Sequence, residues 1–127
     1  MKAVPFLMFQ GDAKAAIALW REAFPSMELL EYEEFSEGAQ VNQVEKAQIR
    51  LGGAEWRVFD SPPVHSFSFT PATSIFVDCD DEAHLRATAK ILGEGGEIMM
   101  PVDAYGFSRL FTWISDRFSV SWQLNLP

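Results

Sequence analysis

The sequence is poor in cysteine and positive charge and has no long apolar run, and each shortage excludes a class of protein. A single cysteine, Cys79, excludes an internal disulfide and a cysteine-based zinc site, and it fits a reducing compartment. With 10 Lys and Arg against 18 Asp and Glu, the net charge is -8, which disfavours nucleic acid and anionic membranes as partners. The N-terminal apolar run stops at Gln10 and is too short for a signal peptide or a membrane span. We therefore predict a cytoplasmic protein.

Apolar and aromatic residues, in contrast, are abundant. Of the 127 residues, 48% are hydrophobic and 13% are aromatic, with 11 Phe and 4 Trp, which is sufficient for the core of one globular domain. Some of these rings are candidates to line a ligand pocket as well as a core.

Hydrophobic periodicity predicts the order strand, helix and three strands, and this order occurs twice. In the first copy, Asp12 is predicted to cap the helix and Gly52-Gly53 to form a hairpin turn. In the second copy, Asp80 or Asp81 is predicted to cap the helix. The predicted strands cover residues 4–9, 29–35, 44–51, 54–59, 73–78, 97–102 and the two arms of a hairpin over 110–126, and the helices cover residues 13–24 and about 81–92.

The repeat predicts an α+β fold with one domain over residues 1–127. Module 1 covers about 1–62, a linker rich in Pro and Ser covers 61–71, and module 2 covers about 72–127. Trp56-Arg57 in module 1 corresponds to Trp122-Gln123 in module 2. Each module is expected to form a small curled sheet with one helix outside, and the two are expected to enclose a shared cavity.

Five segments resemble the vicinal oxygen chelate superfamily, which includes glyoxalase I, bleomycin-resistance proteins and extradiol dioxygenases. They are residues 5–9 (Pro-Phe-Leu-Met-Phe), 11–13 (Gly-Asp-Ala), 51–53 (Leu-Gly-Gly), 74–80 (Ser-Ile-Phe-Val-Asp-Cys-Asp) and 116–123 (Asp-Arg-Phe-Ser-Val-Ser-Trp-Gln). The chain is most similar to the PhnB-like branch, whose domain is described as a 3-demethylubiquinone-9 3-methyltransferase. The resemblance implies two βαβββ modules that form a glyoxalase-like curled mixed sheet with the helices outside, and a homodimer. It does not imply one reaction, since the superfamily includes many.

One position departs from the family pattern. Ser119 stands where the family prefers Gly after the last turn. We predict a left-handed backbone conformation there, which Ser adopts at a modest energetic cost.

Metal-dependent relatives carry four His, Glu or Gln ligands on the first and last strands of the modules. The matching positions here are Pro5, Arg57, Thr73 and Gln123, of which only Gln123 is a suitable ligand. We therefore predict no metal and no cofactor. The methyltransferase description is not supported by the residues either, because no glycine-rich turn of the kind that binds a nucleotide cofactor connects a strand to a helix.

Seven residues are the candidate ligand contacts, because they combine a polar strand face, two cations and aromatic rings. They are Arg57, Gln123, Ser121, Asn125, Trp56, Tyr105 and Arg109. Arg57 would either hold a carboxylate or phosphonate group or pair with a surface acid. Tyr105 and Arg109 precede the final hairpin, where they would either close over a ligand or pack the hairpin end.

The leading hypothesis is a metal-free, dimeric protein that binds a small molecule between its modules. One alternative is a metal-dependent enzyme of the glyoxalase or dioxygenase type, with Asp60, His65 or Glu45 as ligands. Another alternative is a non-catalytic dimeric interaction module. No catalytic residue is assigned. His65 is interpreted as a loop residue in preference to a general base. Cys79 is interpreted as structural, because adjacent carboxylates oppose formation of a thiolate.

Overall fold

The elements form where the hydrophobic periodicity predicts them, with ends shifted by one or two residues. The computed structural model describes residues 1–127 and contains two compact units, Met1–Phe67 and Ser68–Pro127. The elements of unit 1 are β1 (Phe6–Phe9), α1 (Ala13–Ala23), β2 (Glu28–Glu34), β3 (Val44–Leu51) and β4 (Ala54–Asp60). The elements of unit 2 are β5 (Ser74–Asp78), α2 (Glu82–Gly93), β6 (Glu97–Asp103), β7 (Leu110–Ser115) and β8 (Ser121–Leu126).

Each unit contains a four-stranded mixed sheet. The strand orders are β1-β4-β3-β2 in unit 1 and β5-β8-β7-β6 in unit 2. In both sheets the first strand pairs in parallel with the last strand of its unit, and the remaining pairs are antiparallel. The predicted α+β fold class with two βαβββ modules is therefore confirmed.

One face of each sheet carries the helix of that unit and the apolar core. In unit 1, Trp20 of α1 meets Trp56 of β4 edge to face, with ring centroids 6.2 Å apart. In unit 2, α2 buries Leu85 and Leu92 on the side of the sheet where Trp122 is fully buried. We call this side of each sheet the helix-covered face and the opposite side the helix-free face. Neither helix has the length and hydropathy that crossing a bilayer requires.

The two helix starts are stabilised in different ways. Asp81 caps α2 as expected, because its carboxylate accepts a hydrogen bond from the His84 backbone N–H at 2.7 Å. Asp12 occupies the N-cap position of α1, but its side chain makes no capping hydrogen bond. The predicted capping role of Asp12 is therefore wrong.

Asp60, at the end of β4, takes over that role for α1. Its Oδ1 atom accepts from the backbone N–H groups of Gly11 at 2.7 Å and Ala13 at 3.1 Å, and its Oδ2 atom accepts from Val44 at 2.9 Å. The residue is fully buried. A single carboxylate therefore joins the start of α1, the start of β3 and the end of β4.

The predicted turn conformations are confirmed. Gly52 and Gly53 have φ angles of +55° and +87° in the hairpin between β3 and β4. Ser119 has a φ of +68° in the hairpin between β7 and β8, where its N–H donates to the Asp116 carbonyl at 2.8 Å.

Replacing Ser119 by glycine is expected to stabilise the protein. Ser119 is exposed and its side chain is not needed for the turn, so the change removes the left-handed strain at little other cost. We expect a gain of about 0.5–1 kcal/mol in the free energy of unfolding, measured by urea denaturation. Ser115→Gly is the matched control, because this residue lies in a strand, where glycine destabilises. Loss of stability in Ser119→Gly would contradict the assigned conformation.

Candidate functional site

The helix-free face of unit 1 presents Arg57 beside aromatic rings. Successive residues of a strand point to opposite faces, so Trp56 and Val58 are buried on the helix-covered face while Arg57 is exposed on the other. The strand register places Phe6 of β1 and Gln48 of β3 on either side of Arg57. Strand β4 therefore positions a cation at the centre of the sheet.

The Arg57 guanidinium forms no ion pair with a carboxylate. Its Nε atom donates to Gln48 Oε1 at 3.3 Å, and its backbone N–H donates to the Pro5 carbonyl at 2.9 Å. The neighbouring acid, Glu55, is instead bound to Lys2 at 3.2 Å. The Arg57 side chain is thus bound to the uncharged Gln48. The interpretation in which Arg57 pairs with a surface acid is not supported.

A pocket of about 330 Å³ opens beside Arg57. Two aromatic rings line it, those of Phe6 and Phe59, with centroids 6.0 Å apart. Phe35 lies outside the lining and packs edge to face against Phe59 at 6.4 Å. Two cations and two acids also line the pocket, and Lys46 pairs with Glu31 at 3.1 Å. The lining residues are Phe6, Glu31, Glu45, Lys46, Ala47, Arg57, Val58 and Phe59.

The helix-free face of unit 2 carries the polar residues of β8 in a hydrogen-bonded row. Ser121 is 2% exposed, shares a hydrogen bond with Ser74 at 2.6 Å, and accepts another from Trp113 Nε1 at 2.8 Å. Gln123 Nε2 donates to Ser74 Oγ at 3.1 Å. Ser121 is therefore held inside the sheet, and Gln123 lies beside it on the same face.

Asn125 continues this row at the end of β8. Its Nδ2 atom donates to Asp78 Oδ1 at 2.8 Å. The predicted trio Ser121, Gln123 and Asn125 thus shares one face, and each side chain already has a partner on β5.

Ser74 is the residue of this group that the sequence reasoning missed. Matching of ligand positions selected Thr73, but the parallel register sets Ser74 opposite Ser121 and Phe76 opposite Gln123. The alternation of Ser74 and Phe76 with the aliphatic residues Ile75 and Val77 is the signal that could have corrected the offset by one residue.

Four aromatic residues cluster on this face next to Gln123 and Asn125, because the register sets Phe76 opposite Gln123 and Phe111 opposite Asn125. The Phe107 ring meets the buried Phe111 ring edge to face at 4.9 Å, and Tyr105 meets it at 6.1 Å. Phe76 lies 6.3 Å from Phe111 and is 55% exposed. Tyr105 therefore belongs to an aromatic cluster on the helix-free face.

Arg109 and Trp56 do not join these residues. Arg109 Nε donates to the carbonyl oxygen of Pro127 at 2.6 Å, so the side chain packs the end of the hairpin. Trp56 is 3% exposed in the core of unit 1 against Trp20, on the face opposite Arg57. Because adjacent strand residues point in opposite directions, Trp56 and Arg57 cannot line the same face.

The alternative metal ligands do not converge either. Both carboxylate oxygens of Asp60 are occupied by backbone N–H groups, and exposed His65 stacks on Phe67 with ring centroids 4.7 Å apart. No group of three or more His, Cys, Asp and Glu side chains in the chain could hold a metal ion.

Cys79 lies buried at the end of β5. Burial raises the pKa of its thiol to about 11, and the nearby Asp80 and Asp78 carboxylates add to the effect. The thiol is therefore protonated at neutral pH, as expected for a structural residue.

Residues 1–125 match the family described as 3-demethylubiquinone-9 3-methyltransferase. The chain is 35% identical to a PhnB protein from Bacillus cereus, with all of both chains covered and a TM-score of 0.91. Protein PA1353 from Pseudomonas aeruginosa has a TM-score of 0.82 at 22% identity, with 99% of this chain and 97% of that chain covered. No curated protein matches the chain.

A fosfomycin resistance protein, FosX from Listeria monocytogenes, has the same fold. Its TM-score is 0.70 at 13% identity, with 100% of this chain and 92% of that chain covered. The family match over nearly the whole chain and the likeness to the PhnB protein together support the resemblance found in the sequence. The chain belongs to the PhnB-like branch of the vicinal oxygen chelate superfamily.

Proposed function

We propose that the protein binds a small organic anion on the helix-free face of unit 1, without a metal ion. The observation that carries the proposal is Arg57, an exposed cation without an ion pair in a protein of net charge -8. A carboxylate accepts two parallel hydrogen bonds from a guanidinium, and the free Nη groups of Arg57 offer that geometry.

The aromatic walls of the pocket define the rest of the ligand. Phe6 is 57% exposed and contacts Phe59, so an apolar or aromatic group next to the carboxylate would cover it. The two cations and two acids that line the pocket give it a formal net charge of zero. This balance favours a monoanion over a dianion as the ligand. A pocket of about 330 Å³ suits a single small ring with one acidic group.

Benzoate is therefore expected to stabilise the protein, and neutral benzamide, which has nearly the same shape, is not. At a hundredfold excess over its dissociation constant, a ligand of the native state adds about 2.7 kcal/mol. Arg57→Gln is expected to weaken benzoate binding about tenfold or more, since a hydrogen bond to a charged group contributes about 1.5–3 kcal/mol. Urea denaturation with and without ligand measures the stabilisation, and isothermal titration calorimetry measures the affinity.

Arg50→Gln is the matched control for Arg57→Gln. Arg50 lies on the same sheet but is already paired with Glu28 at 2.8 Å, so its loss should leave benzoate affinity unchanged. Equal stabilisation by benzoate and benzamide, or unchanged affinity in Arg57→Gln, would reject the proposal.

The metal-dependent alternative is tested on the same sample. FosX has been crystallised with Mn(II) and a dihydroxypropylphosphonic acid. This chain brings no three ligating side chains together, so elemental analysis after purification without chelator is expected to find no stoichiometric metal. A bound metal in a one-to-one ratio would favour the enzyme hypothesis.

The same proposal includes a homodimer in the cytoplasm. Support comes from the family resemblance, and from the single buried cysteine, which suits a reducing compartment. Sedimentation equilibrium measures the oligomeric state, and a mass near 14.3 kDa at all concentrations would reject the dimer.

A further inference from the structure

Unit 2 contains a second pocket, on the helix-covered side of its sheet. It has a volume of about 320 Å³ and lies between α2 and the strands β6 and β7. Apart from Thr112, its lining consists of apolar residues and two cations. The cations are Arg86 and Lys90, which are four residues apart and therefore neighbours on one helix face. The other lining residues are Ala89, Ile98, Pro101, Val102, Thr112 and Ile114.

The pocket opens where β6 departs from regular pairing. The register between β6 and β7 shifts twice, once between Ile98 and Met100 and once between Met100 and Asp103. The buried Thr112 hydroxyl donates to the Met100 carbonyl at 2.8 Å and holds the strand in this irregular course. Pro101 has no N–H for a sheet hydrogen bond. Irregularities of this kind re-aim side chains and are common beside binding sites.

The two cations differ in their partners. Arg86 Nε is bound to Glu82 at 3.0 Å, in an exposed pair on the same helix. Lys90 is exposed and forms no ion pair, although the protein has 18 acidic residues. An uncompensated cation therefore stands beside an apolar pocket.

We propose that this pocket binds a straight-chain monocarboxylate of about six to eight carbons, a short fatty acid. The alkyl chain lies on Ile98, Val102 and Ile114, and the carboxylate accepts a hydrogen bond from the Lys90 ammonium. This inference is independent of the proposed function, because it uses other residues in the other unit.

Titration of the ¹⁵N-labelled protein with octanoate, followed by NMR, tests the proposal. Octanoate is expected to shift the amide signals of residues 86–102, and uncharged octanamide is expected to bind more weakly. Lys90→Gln should weaken octanoate binding about fivefold, the effect of one exposed charge pair. Val102→Trp should weaken it more, because the larger side chain fills the pocket. Lys14→Gln removes the same charge from α1 and should leave the affinity for octanoate unchanged.

Three results would overturn the inference. They are the absence of shifts at residues 86–102, equal affinity for octanamide, and unchanged octanoate affinity in Lys90→Gln. Benzoate, in contrast, is expected to shift the signals of Phe6, Arg57 and Phe59. The two binding proposals can therefore be rejected independently.

Discussion

Replacing Asp60 by alanine is expected to destabilise unit 1 by about 3–5 kcal/mol, a large part of the stability of a small domain. The substitution leaves the N–H groups of Gly11, Ala13 and Val44 without their acceptor, and each buried unsatisfied donor costs about 1–3 kcal/mol. Native-state hydrogen exchange at these three amides, together with urea denaturation, measures the effect.

Asp12→Ala is the matched control. This residue stands at the N-cap position, where sequence reasoning places the capping group, but its exposed side chain accepts no capping hydrogen bond. We expect its loss to cost less than about 1 kcal/mol, the contribution of a charge near a helix start. Equal destabilisation by Asp12→Ala and Asp60→Ala would contradict the assigned network. Asp60→Asn should fall between them, because its amide keeps one acceptor oxygen but presents a donor to the remaining N–H.

Replacing Gly96 by alanine is expected to destabilise unit 2 by about 3 kcal/mol. A Cβ atom at this position would lie 2.2 Å from the Ser115 carbonyl oxygen and 3.0 Å from backbone atoms of Asp116. Because the obstacle is backbone, no side-chain rotation relieves the contact, and the start of β6 must move away from β7. Hydrogen exchange across β6 and β7 should increase together with the loss in urea stability.

Gly106→Ala is the control that distinguishes the cost of the close contact from the cost of backbone strain. Gly106 has a φ of +88°, but a Cβ there would meet nothing within 4 Å. The control should therefore cost only about 1 kcal/mol, the penalty for a left-handed residue with a side chain. If Gly96→Ala were no worse than Gly106→Ala, the close approach of β6 to the end of β7 would be wrong.

Much of the fold could be predicted from the sequence, because the signals are local. The alternation of Val120, Trp122 and Leu124 with polar residues fixes which face of β8 is buried. The Gly52-Gly53 pair predicted positive φ angles in one hairpin, and Ser119, which stands where the family prefers Gly, predicted a positive φ in the other.

The candidate site was predicted less completely. The sequence predicts Gln123 on the polar face of its strand but leaves the direction of Arg57 open. The strand register sets each of them next to an exposed phenylalanine, Phe6 beside Arg57 and Phe76 beside Gln123. Trp56 was grouped with Arg57 although neighbouring strand residues point apart, an error that the period of two could have prevented. Arg109 had no such signal, since its bond to Pro127 depends on how the hairpin end closes.

The sequence by itself determined the elements, the repeated βαβββ order and the faces that the strands bury, because each depends on residues within a few positions of one another. Only the tertiary structure decided that Asp60 replaces Asp12 at the start of α1, and that Ser74 lies beside Gln123. The physical reason is distance along the chain: Asp60 and Ser74 act on groups 47 to 49 residues away, and only folding brings such atoms within hydrogen-bonding range.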